Sequence, residues 1–156
     1  MQKTSRNNIK LNQRIVKRIE QSMSSIHAMY DGNLVEINIF GSFAKGGPSR
    51  FSSIDMLVIL HDSDERFLKR NADIQRLLNE DDLMPMIDPL VYTEAELLEL
   101  IKKKESFIIS VLKESIVVWN NFEPIDIEKL TEEKNVMHSR YQSAIPDLEE
   151  IDMSGE

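Results

Sequence analysis

The sequence contains no cysteine, which excludes a disulfide framework and a thiolate metal site. It also lacks long apolar runs, since no stretch approaches the roughly 18 residues that a membrane-spanning helix needs. Its first residues lack the apolar segment of a secretory signal peptide. We therefore expect a cytoplasmic protein with no membrane partner.

Basic residues are scarce relative to acidic ones. Nineteen lysines and arginines stand against 27 aspartates and glutamates, and the net charge is −8. A protein that grips a nucleic-acid backbone normally presents a basic stripe, so nucleic acid is not expected as a partner. We interpret the locally basic start of the chain as the solvated face of a helix, formed by Lys3, Arg6, Lys10, Arg14, Lys17 and Arg18.

Apolar spacing outlines the secondary structure, with periods of three to four for helices and two for partly buried strands. In chain order, the predicted elements are a helix over roughly 11–30, strands at Leu34–Phe40 and Ile54–Leu60, a helix through Phe67 and Leu78, a strand at Met86–Tyr92, helices through Leu97–Ile101 and Phe107–Lys113, a strand at Ile116–Trp119 and a helix from Ile127 to Arg140.

Local signals refine three of these elements. The segment 62–64 (Asp-Ser-Asp) supplies cap candidates for the helix that passes through Phe67. Thr93 and Glu96 have the spacing of a capping box, which predicts a helix start. Pro85 precedes the Met86–Tyr92 segment and Pro89 lies within it, and these prolines favour an edge or irregular strand.

The order of elements predicts an α/β (α+β) fold in which a small mixed β-sheet is flanked by helices. A chain of 156 residues is long enough to bury one core. We place one domain at residues 1–120. Residues 121–156 are expected to form a C-terminal helix and an acidic tail, packed on the domain or on a partner.

Gly41 and Ser42 directly follow a predicted strand, and this position suits phosphate binding. A glycine lets the backbone approach an anion without an intervening Cβ, and nearby N–H groups can point at it. Ser42 adds a hydroxyl donor, and Lys45 adds a positive charge one turn later. Taken alone, the pair is equally compatible with a surface turn.

The spacing of the next residues makes the motif specific. Ten residues separate Gly41-Ser42 from Ser53-Ile54-Asp55, which opens an apolar strand, and Asp88 lies in the next predicted strand. This pattern resembles the minimal nucleotidyltransferases of the polymerase-β-like nucleotidyltransferase superfamily. The resemblance covers roughly residues 9–120 and implies the nucleotidyltransferase fold.

The resemblance implies the following roles. In such enzymes three acids hold two Mg²⁺ ions that bind a nucleoside triphosphate such as ATP. Gly41 and Ser42 would grip the phosphates, with Lys45 and Ser53 also at the nucleotide. Asp55 and Asp88 would be the catalytic acids and the metal ligands. Ser53 stands where the family has its first acid, so this sequence departs from the family at the ligand expected to touch both metals.

Two functions follow from this departure. The first is an enzyme that transfers a nucleoside monophosphate to a hydroxyl of a small molecule or protein. The second is an inactive module that binds a nucleotide or a partner. Single-domain members of the family often pair with a helical HEPN-domain protein as an antitoxin, so the resemblance implies such a partner. A homodimer is the other assembly considered.

Alternatives stay open for three side chains near the motif. An aspartate before proline often forms a turn, and Asp88 precedes Pro89. Phe43 and Phe51 occupy loop positions that are commonly polar in the family. Each phenylalanine could fold onto the core or contact a partner.

Overall fold

A computed structural model describes residues 13–45, 52–128 and 136–145. Its five helices within those ranges are α1 (Gln13–Tyr30), α2 (Ser42–Lys45), α3 (Phe67–Asn79), α4 (Glu94–Lys102) and α5 (Ser106–Glu114). Its four strands are β1 (Leu34–Phe40), β2 (Ile54–Leu60), β3 (Ile87–Thr93) and β4 (Ile116–Asn120). None of the helices in the described part of the chain is long and apolar enough to cross a membrane.

The four strands form one mixed sheet in the order β3-β2-β1-β4. Strand β1 pairs antiparallel with both β2 and β4, whereas β2 and β3 run parallel. A parallel pair needs a crossover connection, and α3 supplies it. The predicted small mixed sheet flanked by helices is confirmed.

Helices cover both faces of the sheet, and β1 and β2 are therefore almost completely buried. Helices α1 and α3 pack on one face, with a core that contains Ile19, Ile26, Ile74, Ile37 and Met56. Helices α4 and α5 pack on the other face, with a core that contains Leu97, Ile101, Ile108, Leu112 and Leu57. Side chains alternate along a strand, so successive β2 residues face different cores.

One expectation about the basic face is wrong at Arg18, which is buried rather than solvated. Its Nε donates to the carbonyl of Pro85 at 2.8 Å, and its Nη2 donates to the carbonyl of Leu78 at 2.9 Å. Desolvation by burial lowers the pKa of Arg18. A guanidinium has five fixed donors, so it can satisfy both the loop carbonyl of Pro85 and the carbonyl of Leu78 in the last turn of α3.

Strand β3 is an edge strand, as predicted, and α3 closes its free side. The side-chain amide of Asn79 accepts from Ile87 N and donates to Ile87 O, both at 2.9 Å. Asn71 accepts from Val91 N at 2.7 Å and donates to Val91 O at 3.0 Å. Pro89, between these residues, has no N–H to pair. The amides therefore replace a neighbouring strand.

Of the two helix caps predicted from the sequence, one is present in the structure and the other is not. Thr93 and Glu96 form the predicted capping box at the start of α4. The prediction of a cap among residues 62–64 is wrong, because α3 begins after Arg66 and no side chain caps it. Ser63 instead accepts a hydrogen bond from Glu65 N at 3.0 Å, so its hydroxyl closes a local turn.

Residues 136–145 return to the domain and end in a 3-10 turn at Arg140–Ala144. The buried carboxylate of Glu36 on β1 accepts from Ser139 Oγ at 2.6 Å and from Arg140 Nε at 3.3 Å. The expected helix from Ile127 to Arg140 is wrong at residues 136–139, which have no helical structure. Residues 129–135 of that expectation, and the acidic tail, lie outside the described residues.

Candidate nucleotide and metal site

Asp55 lies against Gly41 because β1 and β2 pair antiparallel, with Phe40 directly opposite Asp55. Gly41 has a φ of 75°, in the left-handed region that favours glycine. A Cβ at Gly41 would overlap the Oδ2 atom of Asp55 and come within 3.1 Å of its Cγ. The missing side chain of Gly41 therefore creates the space that the Asp55 carboxylate occupies.

Asp88 is the parallel-register partner of Asp55, so the two carboxylates lie side by side on neighbouring strands. Their side chains are close enough to interact both through charge and through a shared hydrogen bond when one carboxyl group is protonated. Burial, then the charge of Asp88, then this hydrogen bond raise the pKa of Asp55 to about 6. Asp88 lies inside β3 and not in a turn, and its side chain is exposed.

Ser53 lies one residue before β2 and is partly exposed. An extended chain places residues two apart on the same side, so Ser53 and Asp55 have the spacing of neighbouring ligands. Within the described ranges, no group of three or more Asp, Glu, His or Cys side chains could hold a metal ion. The candidate site therefore offers a pair of carboxylates and not the three acids that the family pattern implies.

The pair fits one Mg²⁺, which usually takes one or two carboxylates together with waters and substrate phosphates. Burial and then the like charge of Asp88 disfavour the ionised form of Asp55, and its raised pKa reflects both. A divalent cation would remove that repulsion. Asp55 and Asp88 would be its protein ligands, with Ser53 able to contribute a hydroxyl oxygen and no charge.

Ser42 and Lys45 begin and end α2, the single helical turn after Gly41. The carbonyl of Gly41 accepts from Ala44 N at 3.1 Å and from Lys45 N at 3.0 Å. The Lys45 Nζ lies 3.4 Å from Glu114 Oε1 at the end of α5, and the lysine side chain is 61% exposed. A solvent-exposed pair of this kind is weak, so Lys45 is free to turn to an anion.

The two phenylalanines of the loop have different outcomes. Phe43 is buried in the core on the α1 and α3 side of the sheet, so it folds back rather than facing a partner. Phe51 lies outside the described residues. An aromatic pair that the sequence did not predict is formed instead by Phe40 and Phe107, whose ring centroids are 6.5 Å apart. Phe107 lies next to the apolar stripe of α5 and not within it. This position is the sequence feature that could have predicted its exposure.

Comparison with known proteins identifies one family. The sequence pattern of the nucleotidyltransferase domain family matches residues 16–140, which is most of the chain. The match extends beyond residue 120 and includes the segment that contacts Glu36. No significantly similar curated protein was found.

Among solved structures, the chain is similar to a protein from Sulfolobus solfataricus described as a candidate nucleotidyltransferase. The identity is 22%, with 73% of this chain and 87% of that chain covered and a TM-score of 0.49. It is also similar to a toxin–antitoxin with AMP-PNP, at 16% identity, 74% and 82% coverage and a TM-score of 0.47.

A third similar structure is a tri-AMPylated Shewanella oneidensis HEPN toxin in complex with MNT antitoxin. The identity is 14%, with 76% of this chain and 82% of that chain covered and a TM-score of 0.40. The family match rests on the sequence itself, and the glycine turn and mixed sheet agree with it. The chain belongs to the nucleotidyltransferase domain family.

Proposed function

We propose that this protein binds a nucleoside triphosphate, such as ATP, together with Mg²⁺ and transfers a nucleoside monophosphate to a hydroxyl group. The observation that carries the proposal is the meeting of Asp55 and Asp88 beside the Gly41 turn. In the reaction, the acceptor oxygen bonds to the α-phosphorus and pyrophosphate leaves. The acceptor is a small molecule or a protein, and each supplies the same hydroxyl chemistry.

Each residue has a defined task in this proposal. Asp55 and Asp88 hold Mg²⁺, which neutralises charge on the phosphates when it is bound. Asp88 is the more exposed acid and is placed to take the proton of the acceptor hydroxyl. Gly41 and Ser42 hold the phosphates through backbone N–H groups and the Ser42 hydroxyl. Lys45 leaves Glu114 to meet the phosphates.

A second function is a binding module that has lost transfer, and Ser53 is the observation that favours it. A serine hydroxyl supplies no negative charge to a metal shared between two sites. In this case the chain would still bind the nucleotide, or hold a partner. The partner proposed from the family is a helical HEPN-type protein, with a homodimer as the other assembly.

The surface beside Asp88 suits a macromolecular partner in either function. Leu83, Met84 and Met86 are exposed apolar side chains just before β3. The carbonyl of Met86 accepts from Ile54 N at 2.8 Å, so this loop is fixed to the start of β2. A cluster of exposed apolar side chains is a feature of surfaces that contact a partner.

Transfer of the nucleotide label separates the two functions. Wild type, Asp55→Ala and Ser53→Asp are incubated with ATP labelled at the α-phosphate, Mg²⁺ and hydroxyl acceptors that include a HEPN-type protein. Transfer by wild type that Asp55→Ala abolishes establishes the enzyme. Transfer by Ser53→Asp alone establishes the binding module. Failure of every variant to bind Mg²⁺-ATP in titration calorimetry would exclude the enzyme and a nucleotide-binding module, and would leave only a module that holds a partner.

A further inference from the structure

Phe107, in the first turn of α5, is exposed over 52% of its surface. The helix does not need this side chain for its own packing, because Ile108, Val111 and Leu112 bury its apolar stripe. The ring of Phe107 meets the ring of Phe40 nearly edge-on, at an interplanar angle of 78°. Phe107 therefore has a fixed neighbour on one side and open solvent on another.

The position of Phe40 connects Phe107 to the candidate site. Phe40 is directly opposite Asp55 in the antiparallel β1–β2 pair. Side chains of directly opposite residues lie on the same face of a sheet, about 5 Å apart at Cβ. Phe107 therefore contacts Phe40, and Phe40 neighbours Asp55, on the face of the sheet that α5 covers. Relative to the carboxylate pair, Phe107 lies toward β1.

The two sides of the carboxylate pair differ in their surroundings. On the β1 side, Ser42 and the exposed Lys45 follow the Gly41 turn and supply a hydroxyl and a positive charge that suit phosphates. On the β3 side, Asp88 and Met86 face solvent and leave room for an acceptor. Lys45 contacts Glu114 at the end of α5, and Phe107 lies in the first turn of the same helix. With its phosphates at Ser42 and Lys45, a nucleotide lying along α5 would bring its base to the aromatic face of Phe107.

The start of α5 also holds Phe107 in place. The Glu105 side chain accepts from Ile108 N at 2.9 Å and so caps the helix. A capped turn with a buried neighbour orders the backbone on both sides of Phe107. An ordered aromatic ring loses little conformational entropy when a base stacks on it.

We propose that Phe107 is the stacking platform for the base of the nucleotide. The inference rests on the proposed nucleotide binding and adds a specificity-determining residue to it. Every base has an aromatic face, so a platform without hydrogen-bond partners accepts more than one base. We therefore expect ATP and GTP to bind with similar affinity, and UTP, whose single ring is smaller, to bind less tightly.

The test compares a nucleotide with its phosphate chain alone. Titration calorimetry in Mg²⁺ measures ATP and inorganic tripolyphosphate on wild type, Phe107→Ala, Phe107→Leu and Phe107→Tyr. Phe107→Leu keeps apolar contact with Phe40 while removing the aromatic face. Phe122→Ala is the matched control, because Phe122 is 62% exposed and its ring lies 4.8 Å from the Arg140 guanidinium carbon instead of beside the site.

We expect Phe107→Ala and Phe107→Leu to weaken ATP binding about 5- to 100-fold, which is the usual loss of one base stack. Tripolyphosphate binding should stay within about twofold, Phe107→Tyr should retain ATP affinity, and Phe122→Ala should change neither. Equal ATP affinity of wild type and both aromatic-free variants would overturn the platform. Binding of neither ATP nor tripolyphosphate by wild type would instead overturn the proposed function beneath it.

Discussion

At the scale of single residues, Asp55 makes stability depend on pH. The raised pKa means that the folded chain holds a proton between about pH 4 and pH 6 that the unfolded chain has released. Stability falls with rising pH wherever the folded state binds more protons. The ionisation of Asp55 therefore lowers the free energy of unfolding. This loss is absent below about pH 4 and complete above about pH 6.

We expect Asp55→Asn to raise the free energy of unfolding by about 1–3 kcal/mol at pH 7 and to change it little at pH 4. The amide cannot ionise, so the repulsion with Asp88 disappears. Urea denaturation from pH 4 to pH 7 measures this without ligand. An Asp55→Asn curve parallel to that of wild type over this range would contradict the prediction.

Gly41 gives the second prediction at this scale. Gly41→Ala should cost at least about 1–2 kcal/mol, because a Cβ meets the Asp55 carboxylate and the backbone is left-handed. Gly32→Ala is the control, since no atom lies within 4 Å of its added Cβ. Thermal melting should show a lower melting temperature for Gly41→Ala than for wild type, and an unchanged melting temperature for Gly32→Ala. Equal melting temperatures of the two variants would argue against the close contact at Gly41.

The meeting of Gly41, Asp55 and Asp88 could be anticipated because the spacing of the motif resembles that of the nucleotidyltransferases, which implied that these residues share a site. The burial of Arg18 and Glu36 could not. Both are charged residues whose partners lie far away in sequence, at Pro85 and Ser139. A local pattern contains no information on such contacts, and by type alone both residues belong at the surface.

At the scale of elements, the asparagines that close the β3 edge should be needed for its order. Asn71→Ala and Asn79→Ala should each cost about 1–3 kcal/mol, because strand N–H and C=O groups lose their partners. The double variant should also associate through the opened edge. Gln75→Ala, at an exposed position of the same helix, serves as the control.

Urea denaturation and light scattering of the four variants measure these two effects. A double variant that stays as stable and as monodisperse as Gln75→Ala would show that the amides are dispensable.

Most strands and helices were predicted nearly at their observed bounds, since alternation and apolar runs report burial directly. The start of α3 was not, because Asp62, Ser63 and Asp64 all have side chains that cap helices and also close turns. Ser63 takes the turn. The choice depends on the path of the chain from β2 to α3, which is a tertiary property.

At the scale of the whole molecule, the contact between Glu36 and Arg140 ties the far end of the described chain to the sheet. Arg140→Met should cost about 1–3 kcal/mol, because it leaves the buried Glu36 carboxylate without its cation. Lys103→Met is the control, since the Lys103–Glu99 pair is mostly exposed and contributes little. Comparable losses of unfolding free energy in the two variants would contradict the prediction.

The mixed sheet with helices on both faces could be predicted from the order of elements, whereas the course of residues 136–145 could not. Apolar spacing favoured a helix there, yet the segment is used to satisfy Glu36 and to pair its Met137 carbonyl with Val117 N at 2.8 Å. Such pairing covers the β4 edge of the sheet. Local helix preference is weak enough for tertiary contacts of this kind to override it.

The pairing of β2 with β3 has a thermodynamic consequence. Asp55 and Asp88 adjoin only because those strands are in register, so the unfolded chain has no such pair of ligands. Any molecule that binds the pair must therefore shift the folding equilibrium, by about 2.7 kcal/mol at a hundred times its dissociation constant. The melting temperature then reports how fully the site is occupied. Nucleotides, metals and acceptors can therefore be ranked by the rise in melting temperature that each causes, before any reaction product is known.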